Sequence, residues 1–424
     1  MLHAKSSRPN VDLDRARLVD WYRRNRERSA QIFALVDEQM YEQRPIALRH
    51  PFVFYEGHLP AFSFLTLNER ALGESPVDAA LEKLFERGID PSSAEAARSH
   101  ERAAWPPAAA VRDFSQACDR RVEAALTNAP IVGDAPRLMR GQSAFTILEH
   151  EAMHHETLLY IIHQVDYAHK GRIVQSNVDR EPPQNDMRPI HAGIATLGAK
   201  LDEVAFGWDN EFERTEELVP AFSMQRYPVT NADWLAFVRD GGPIPHFWGE
   251  RDGVFVLHAA FEKLPLPLSW PAYVTNEQAR AYADWRGMHL PTEAQYHRAA
   301  FGSPAGLERP FPWGESQPAA INGNFDFARF DPEPVDAHPA GASAWGINDL
   351  IGNGWEWTST PFAPLPGFEP LASYPQYSAD FFDGKHYVMK GASPVTAREL
   401  IRRSFRNWFY GDYPYMYAKF RLVA

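Results

Sequence analysis

The spacing of apolar residues changes character once along this chain, and that change limits the fold more than any other feature. Up to about residue 170 the apolar positions recur at helical intervals: Leu13, Leu18, Val19, Tyr22, Ile32, Leu35 and Val36 stand among Arg and Glu between Val11 and Met40. Similar periodicity predicts helices over Pro60–Leu72, Ala79–Arg87, Ala108–Leu126 and Gly141–Ala168. The polar, proline-bearing stretch REPPQNDMRPI, Arg180–Ile190, then breaks the pattern as an interdomain segment does. Beyond it, short β-like pieces (Gly193–Ala199, Phe222–Thr230) and one or two clear helices, the clearest Asn276–Met288, lead into a long irregular sequence, Leu290–Ala424, rich in Gly, Pro, Trp and Asn. The reading is an α+β protein of two domains, a helical bundle over 1–180 and a compact mixed domain over 188–424 whose loops carry much of its mass.

Composition narrows the function classes. A net charge of -12, with arginines interspersed among acids, argues against a nucleic-acid partner, since phosphate binding needs clustered cations. No run of about 18 apolar residues occurs and the first residues lack the apolar core of a secretory signal, so neither a membrane span nor export is expected. Cys118 is the single cysteine, which excludes a disulfide framework or a Cys-rich metal site and fits a reducing cytoplasm.

The densest chemical signal is ILEHEAMHHETLLYIIH, Ile147–His163. On a helix turning about 100° per residue, His150 and His154 lie about 40° apart, so both imidazoles reach one ion. Neutral imidazoles suit zinc, iron, copper or nickel. A spacing of four also arises by chance, and the same letters match the H-E-x-x-H zinc peptidase motif with Glu151 as general base, although no metzincin continuation follows. A third ligand is available in YEGHLPAF, which puts His58 at the start of a predicted helix of the same bundle. Glu156 lies about 240° round from His150 and does not share its face; His155, His163 and His169 read as ordinary helix histidines.

Taken with LPTEAQYHRAA, FPWG, GNFDF and GNGWEWTSTPF in the second half, these histidines give the chain a resemblance to a known family. The carboxy half resembles the formylglycine-generating-enzyme or sulfatase-modifying-factor fold, a C-type-lectin-like α+β domain, and the amino half resembles the DinB-like four-helix bundle. That fusion characterises the non-haem iron sulfoxide synthases of ergothioneine and ovothiol biosynthesis and their selenoneine-synthase relatives. The resemblance implies that His58, His150 and His154 ligate Fe(II), and that O2 drives bond formation between a donor's S or Se and the imidazole carbon of hercynine. Formylglycine formation itself is excluded, because it needs cysteines in the carboxy-terminal domain and Cys118 lies outside it.

In the closing segment SFRNWFYGDYPYMYAKFRLVA the resemblance makes Asn407 a substrate-binding amide. Trp408, Phe409 and Tyr413 belong to an aromatic cluster that offers faces to the hercynine trimethylammonium, at about 0.5–2 kcal/mol per well-placed ring. Tyr374 and Tyr377 are the candidates for the family's catalytic tyrosine. Trp355 and Trp357 of GNGWEW read as packing residues beside a turn. Two departures bear on the donor. The stretch Ala97–Phe114 lacks the arginine pair that binds γ-glutamylcysteine carboxylates, and Phe409 stands where those enzymes often place an aspartate for the donor's amino group. Both remove charge, which favours a neutral selenosugar over γ-glutamylcysteine or cysteine. A binding or maturation protein on the same scaffold is the alternative of a different class.

Overall fold

The computed structural model describes residues 13–86 and 105–424, so residues 97–104 of the stretch read as lacking the arginine pair lie outside the described residues. The chain divides into two compact units. The first comprises residues up to His154 with Asp202–Phe206 and Leu371–Pro375; the second comprises His155–Leu201, Gly207–Pro370 and Gln376–Ala424.

The first unit is built on α1 (Arg15–Phe33), α2 (Phe52–Phe64), α3 (Ala79–Phe85), α4 (Ala108–Asn128) and the amino-terminal part of α5 (Gln142–His163). Asp14 caps α1 by accepting from the Arg17 amide, and Asp78 caps α3 through the amides of Ala80 and Leu81. α2 is apolar on every side, and all of its residues but Glu56 are buried, as an all-round apolar helix requires. It packs on α3 and α4.

The structure moves α2 from where periodicity predicts it. The helix begins at Phe52 rather than Pro60 and carries Pro60 in its interior, continuing as a π-helical turn over Leu65–Glu69. An interior proline frees the carbonyl four residues back. Here that carbonyl, on Glu56, accepts a hydrogen bond from Ser115 Oγ of α4 at 3.1 Å, so a remote helix repairs the ladder. α1 is likewise shorter than expected, ending at Phe33 before a 3-10 turn at Glu38–Met40.

The second unit is mixed. A four-stranded sheet has the order β10 (Asn407–Tyr410), β9 (His386–Ala392), β8 (Gly354–Pro361), β11 (Ala418–Lys419), antiparallel except for the parallel β11–β8 pair. Small ribbons pair β1 (Met187–Ile190) with β4 (Phe222–Gln225) and β2 (Gly193–Leu197) with β3 (Thr215–Val219), and β5 (Trp248–Arg251), β6 (Val254–His258) and β7 (Lys263–Pro265) form a third. α6 (Asn231–Arg239), α7 (Asn276–Arg286) and α8 (Glu293–Phe301) each start with a Thr capping box. One core gathers Tyr296 and Phe301 of α8 with Met224, Phe325, Ile347 and Leu350. GNGWEW turns at Asn353 (φ 61°) into β8, where Trp355 and Trp357 are buried and Glu356 forms an ion pair with Arg421 at 2.6 Å, both side chains fully buried. Among the described residues no helix is long and apolar enough to cross a membrane.

Candidate metal centre

Inside the first unit, α2 supplies His58 and α5 supplies His150 and His154, one turn apart. One nitrogen from each imidazole lies within 4.8 Å of those of the other two, and all three side chains are buried. The Nε2 atoms of His150 and His154 are 3.1 Å apart. Metal–nitrogen bonds of about 2.1 Å meeting at a right angle span about 3.0 Å, so this separation suits two ligands of one ion. His58 Nδ1 lies 2.7 Å from the carbonyl of Phe85, and its Nε2 has no hydrogen-bond partner among the described residues. A carbonyl only accepts, so Nδ1 carries the proton and the unpartnered Nε2 carries the lone pair a metal needs.

Burial supports the neutral forms. Desolvation pulls His58 down to about 4 against the opposing hydrogen bond to Phe85, and pulls His150 well below the usual histidine range, assisted by the neighbouring His154 and His58. These three imidazoles, with no fourth ligand among the described residues, form an open set suited to iron, zinc, copper or nickel.

Aromatic rings wall this cluster. Phe62 stacks on His150 at 3.5 Å and 9°, Phe54 on His58 at 4.9 Å and 20°, and Tyr55 tilts against His154 at 5.8 Å. Phe54, His58 and Phe62 stand at intervals of four along one face of α2, a spacing visible in FVFYEGHLPAFSF that periodicity alone did not single out, because every neighbour is apolar too. Tyr374 joins the cluster from the distant segment Leu371–Pro375, its ring 5.1 Å from Phe62 and 6.2 Å from His150.

Glu151, the glutamate of the H-E-x-x-H pattern, has a different set of partners. Its Oε1 accepts from Arg26 Nη1 and Ser29 Oγ, both at 2.7 Å, and its side chain is fully buried. Arg26 also meets Asp119 at 3.0 Å, and Tyr22 donates to Asp119 at 2.7 Å. A buried glutamate committed to an ion pair with half-buried Arg26 is poorly placed to take a proton from metal-bound water, which weakens the peptidase reading.

The other expected site residues belong to the second unit. Tyr377 stacks on Trp208 at 3.9 Å and meets Trp408 edge-on at 5.1 Å, and Trp408 stacks on Phe362 at 4.2 Å. Phe409 and Tyr413 stack at 5.2 Å, and each presents an edge or face to Tyr160, at 6.4 and 6.2 Å. Asn407 opens β10, where its Oδ1 accepts from the Trp408 amide at 2.9 Å. Glu156 accepts from Trp355 Nε1 at 2.7 Å and from the Thr396 hydroxyl at 3.0 Å, and burial pushes it up to about 7 against these hydrogen bonds. His155 is buried edge-on to Phe327, and His163 bonds the carbonyl of His258 and the hydroxyl of Tyr417.

The sulfatase-modifying factor enzyme 1-like domain matches residues 174–424, more than half of the chain, and the chain belongs to that family. It is similar to proteins named hercynine oxygenase: that of Mycolicibacterium thermoresistibile is 36% identical over 301 residues, covering 63% of this chain and 65% of the relative. That of Mycolicibacterium smegmatis is 34% identical over 309 residues, covering 63% and 67%. Ergothioneine biosynthesis protein 1 of Schizosaccharomyces pombe is 28% identical over 419 residues, covering 89% of this chain and 52% of the relative. The chain thus spans just under two thirds of the first relative and about half of the fungal one.

Proposed function

We propose that this chain is a cytoplasmic non-haem Fe(II), O2-dependent synthase that bonds a chalcogen donor to the imidazole carbon of hercynine, with a DinB-like bundle over 1–180 and the sulfatase-modifying-factor domain over 188–424. The single observation that carries the reading is the buried, open three-histidine cluster in a chain similar to hercynine oxygenases. In this reading His58, His150 and His154 hold the metal, and Fe(II) there supplies one-electron chemistry with O2. Phe54 and Phe62 fix the ligand rings by stacking and keep water from the cluster. The Tyr374 phenol, beside His150, is the proton or electron donor, with Tyr377 the alternative in its stack on Trp208. Asn407 supplies a polar contact to hercynine, and Trp408, Phe409 and Tyr413 supply ring faces for its trimethylammonium.

The donor is a selenosugar in this reading. Phe409 lies against Tyr160 and Tyr413, rings that offer a sugar faces and hydroxyls and themselves carry no charge to meet an ammonium or carboxylate. Stranding such charges costs several kcal/mol. Sulfur transfer from γ-glutamylcysteine or cysteine is the second reading, favoured by the names of the relatives. Iron-loaded protein incubated in air with hercynine and equal concentrations of selenosugar, γ-glutamylcysteine and cysteine, followed by mass spectrometry, separates them. A selenium adduct in excess supports the proposal, a sulfur adduct in excess replaces the donor, and no O2 consumption with hercynine sinks the enzyme reading.

A further inference from the structure

We propose that Gly57 and Phe85 act as a positioning pair for His58: the Phe85 ring fills the space that only glycine leaves at 57, and this seating delivers the Phe85 carbonyl to His58 Nδ1. The inference rests on the metal-centre reading above and names residues that act on a ligand from outside the ligand set.

The observations come from two helices of the first unit. A Cβ built on Gly57 would lie 2.4–2.5 Å from Cζ, Cε1 and Cε2 of Phe85, far inside van der Waals contact. The ring has little room to withdraw: Phe85 is fully buried, with Phe114 stacked at 5.9 Å and Phe54 tilted at 6.3 Å. Relief of a clash at 57 therefore has to come from the backbone of α3. Phe85 is the last residue of that helix, where carbonyls have no intrahelical donor. Its carbonyl takes the His58 Nδ1 proton at 2.7 Å, so the orphan acceptor of one helix and the ring of the next satisfy each other. That one bond selects the tautomer with the Nε2 lone pair and fixes the ring's rotation, which Phe54 supports from its stacked face. α3 is held at its other end by the Asp78 cap and by Glu82, which accepts from the Val77 amide at 2.7 Å, so a push at Phe85 tilts the helix at its carboxyl end.

Loss of a ligand's outer hydrogen-bond partner lowers metal affinity by about 10–100-fold. Gly57→Ala is therefore expected to weaken Fe(II) and Co(II) binding at least about tenfold, read by anaerobic titration and by the visible absorption of the Co(II) form, while far-UV circular dichroism of the apoprotein stays that of the wild type. Phe85→Leu shortens the ring that meets position 57 and keeps the carbonyl, so Gly57→Ala/Phe85→Leu is expected to bind at least about threefold more tightly than Gly57→Ala, while Phe85→Leu alone, which loses the seated ring, is expected to bind more weakly than wild type. Gly57→Ala binding like wild type, or the double variant binding no better than Gly57→Ala, overturns the proposal. The tautomer decides it independently of any variant's folding: 15N NMR of histidine-labelled wild-type apoprotein should show His58 protonated at Nδ1, and protonation at Nε2 overturns it. If the wild type takes up neither metal, the metal-centre reading fails, and the His58 tautomer still decides the positioning role.

Discussion

Arg26→Met breaks the buried ion pair behind the ligand helix and leaves Glu151 with Ser29 alone. Glu151 is fully buried and the Arg26 side chain is only 19% exposed, so water cannot replace the lost partner. Removing one member of such a pair typically costs about 3–5 kcal/mol. The carboxyl has an escape, which is to take up a proton. Burial already pushes Glu151 above its ordinary value of 4.5, opposed by Arg26 and Ser29, and the variant loses the larger of those two opposing influences. Neutralising a carboxyl with an unfolded value of 4.5 at pH 7 costs about 2.5 × 1.36, roughly 3.4 kcal/mol, which caps the loss there. The sign follows from linkage: a carboxyl whose folded value is raised binds more protons folded than unfolded, so stability falls as pH rises above 4.5. Because the raised wild-type carboxyl already bears part of that cost, urea denaturation followed by far-UV circular dichroism should show Arg26→Met less stable than wild type at pH 7 by an amount under about 3.4 kcal/mol, shrinking below about 1 kcal/mol near pH 5. Arg26→Met/Glu151→Leu removes both charges and should lie within about 1 kcal/mol of wild type or above it. A loss independent of pH, or a double variant as unstable as the single, would refute the argument that an unpaired buried carboxylate is the cost.

His58→Ala, His150→Ala and His154→Ala are each expected to lose iron, measured as metal per chain after dialysis, while His155→Ala and Glu156→Gln retain it; full occupancy in His58→Ala removes the third ligand. Asp331 is buried, which pushes it up to about 6 from 3.8 despite hydrogen bonds from the Ala260 amide and Gln175. Its ionisation therefore opposes folding progressively as pH rises from about 4 to 6, by an amount on the order of 3 kcal/mol; Asp331→Asn should flatten that part of the stability profile, and an unchanged slope contradicts the assignment. Turnover of a 1-selenosugar should exceed that of γ-glutamylcysteine at least about tenfold in kcat/KM, about 1.4 kcal/mol, and Phe409→Asp should erode the preference. Faster wild-type turnover of γ-glutamylcysteine at equal concentrations makes the thiol the donor.

Local pattern was enough to place His150 and His154 on one helix face, because an i, i+4 relation depends only on helical pitch. It was enough as well for α4, which periodicity predicts within two residues at its carboxyl end, and for the amino ends of α3 and α7, predicted at the residues where they begin. The family match over residues 174–424 agrees with motifs such as GNGWEW, whose turn and buried tryptophans are short-range features. His58 was a different case. Its type and approximate helix were legible, yet its place in mid-helix depends on Ser115 donating to the Glu56 carbonyl, 59 positions away along the chain, in place of the amide that Pro60 lacks. The same holds for its proton, fixed by the Phe85 carbonyl, and for Glu151, which reads as a base from its motif and becomes the partner of Arg26 only when α1 lies against α5. Tyr374 and Tyr377 are three residues apart and indistinguishable by composition, but tertiary packing groups one with His150 and the other with Trp208. Spacing along a helix is set by backbone geometry that every residue shares, whereas partners across the fold are set by which surfaces the whole chain buries together, and no window of sequence contains both sides of such a contact.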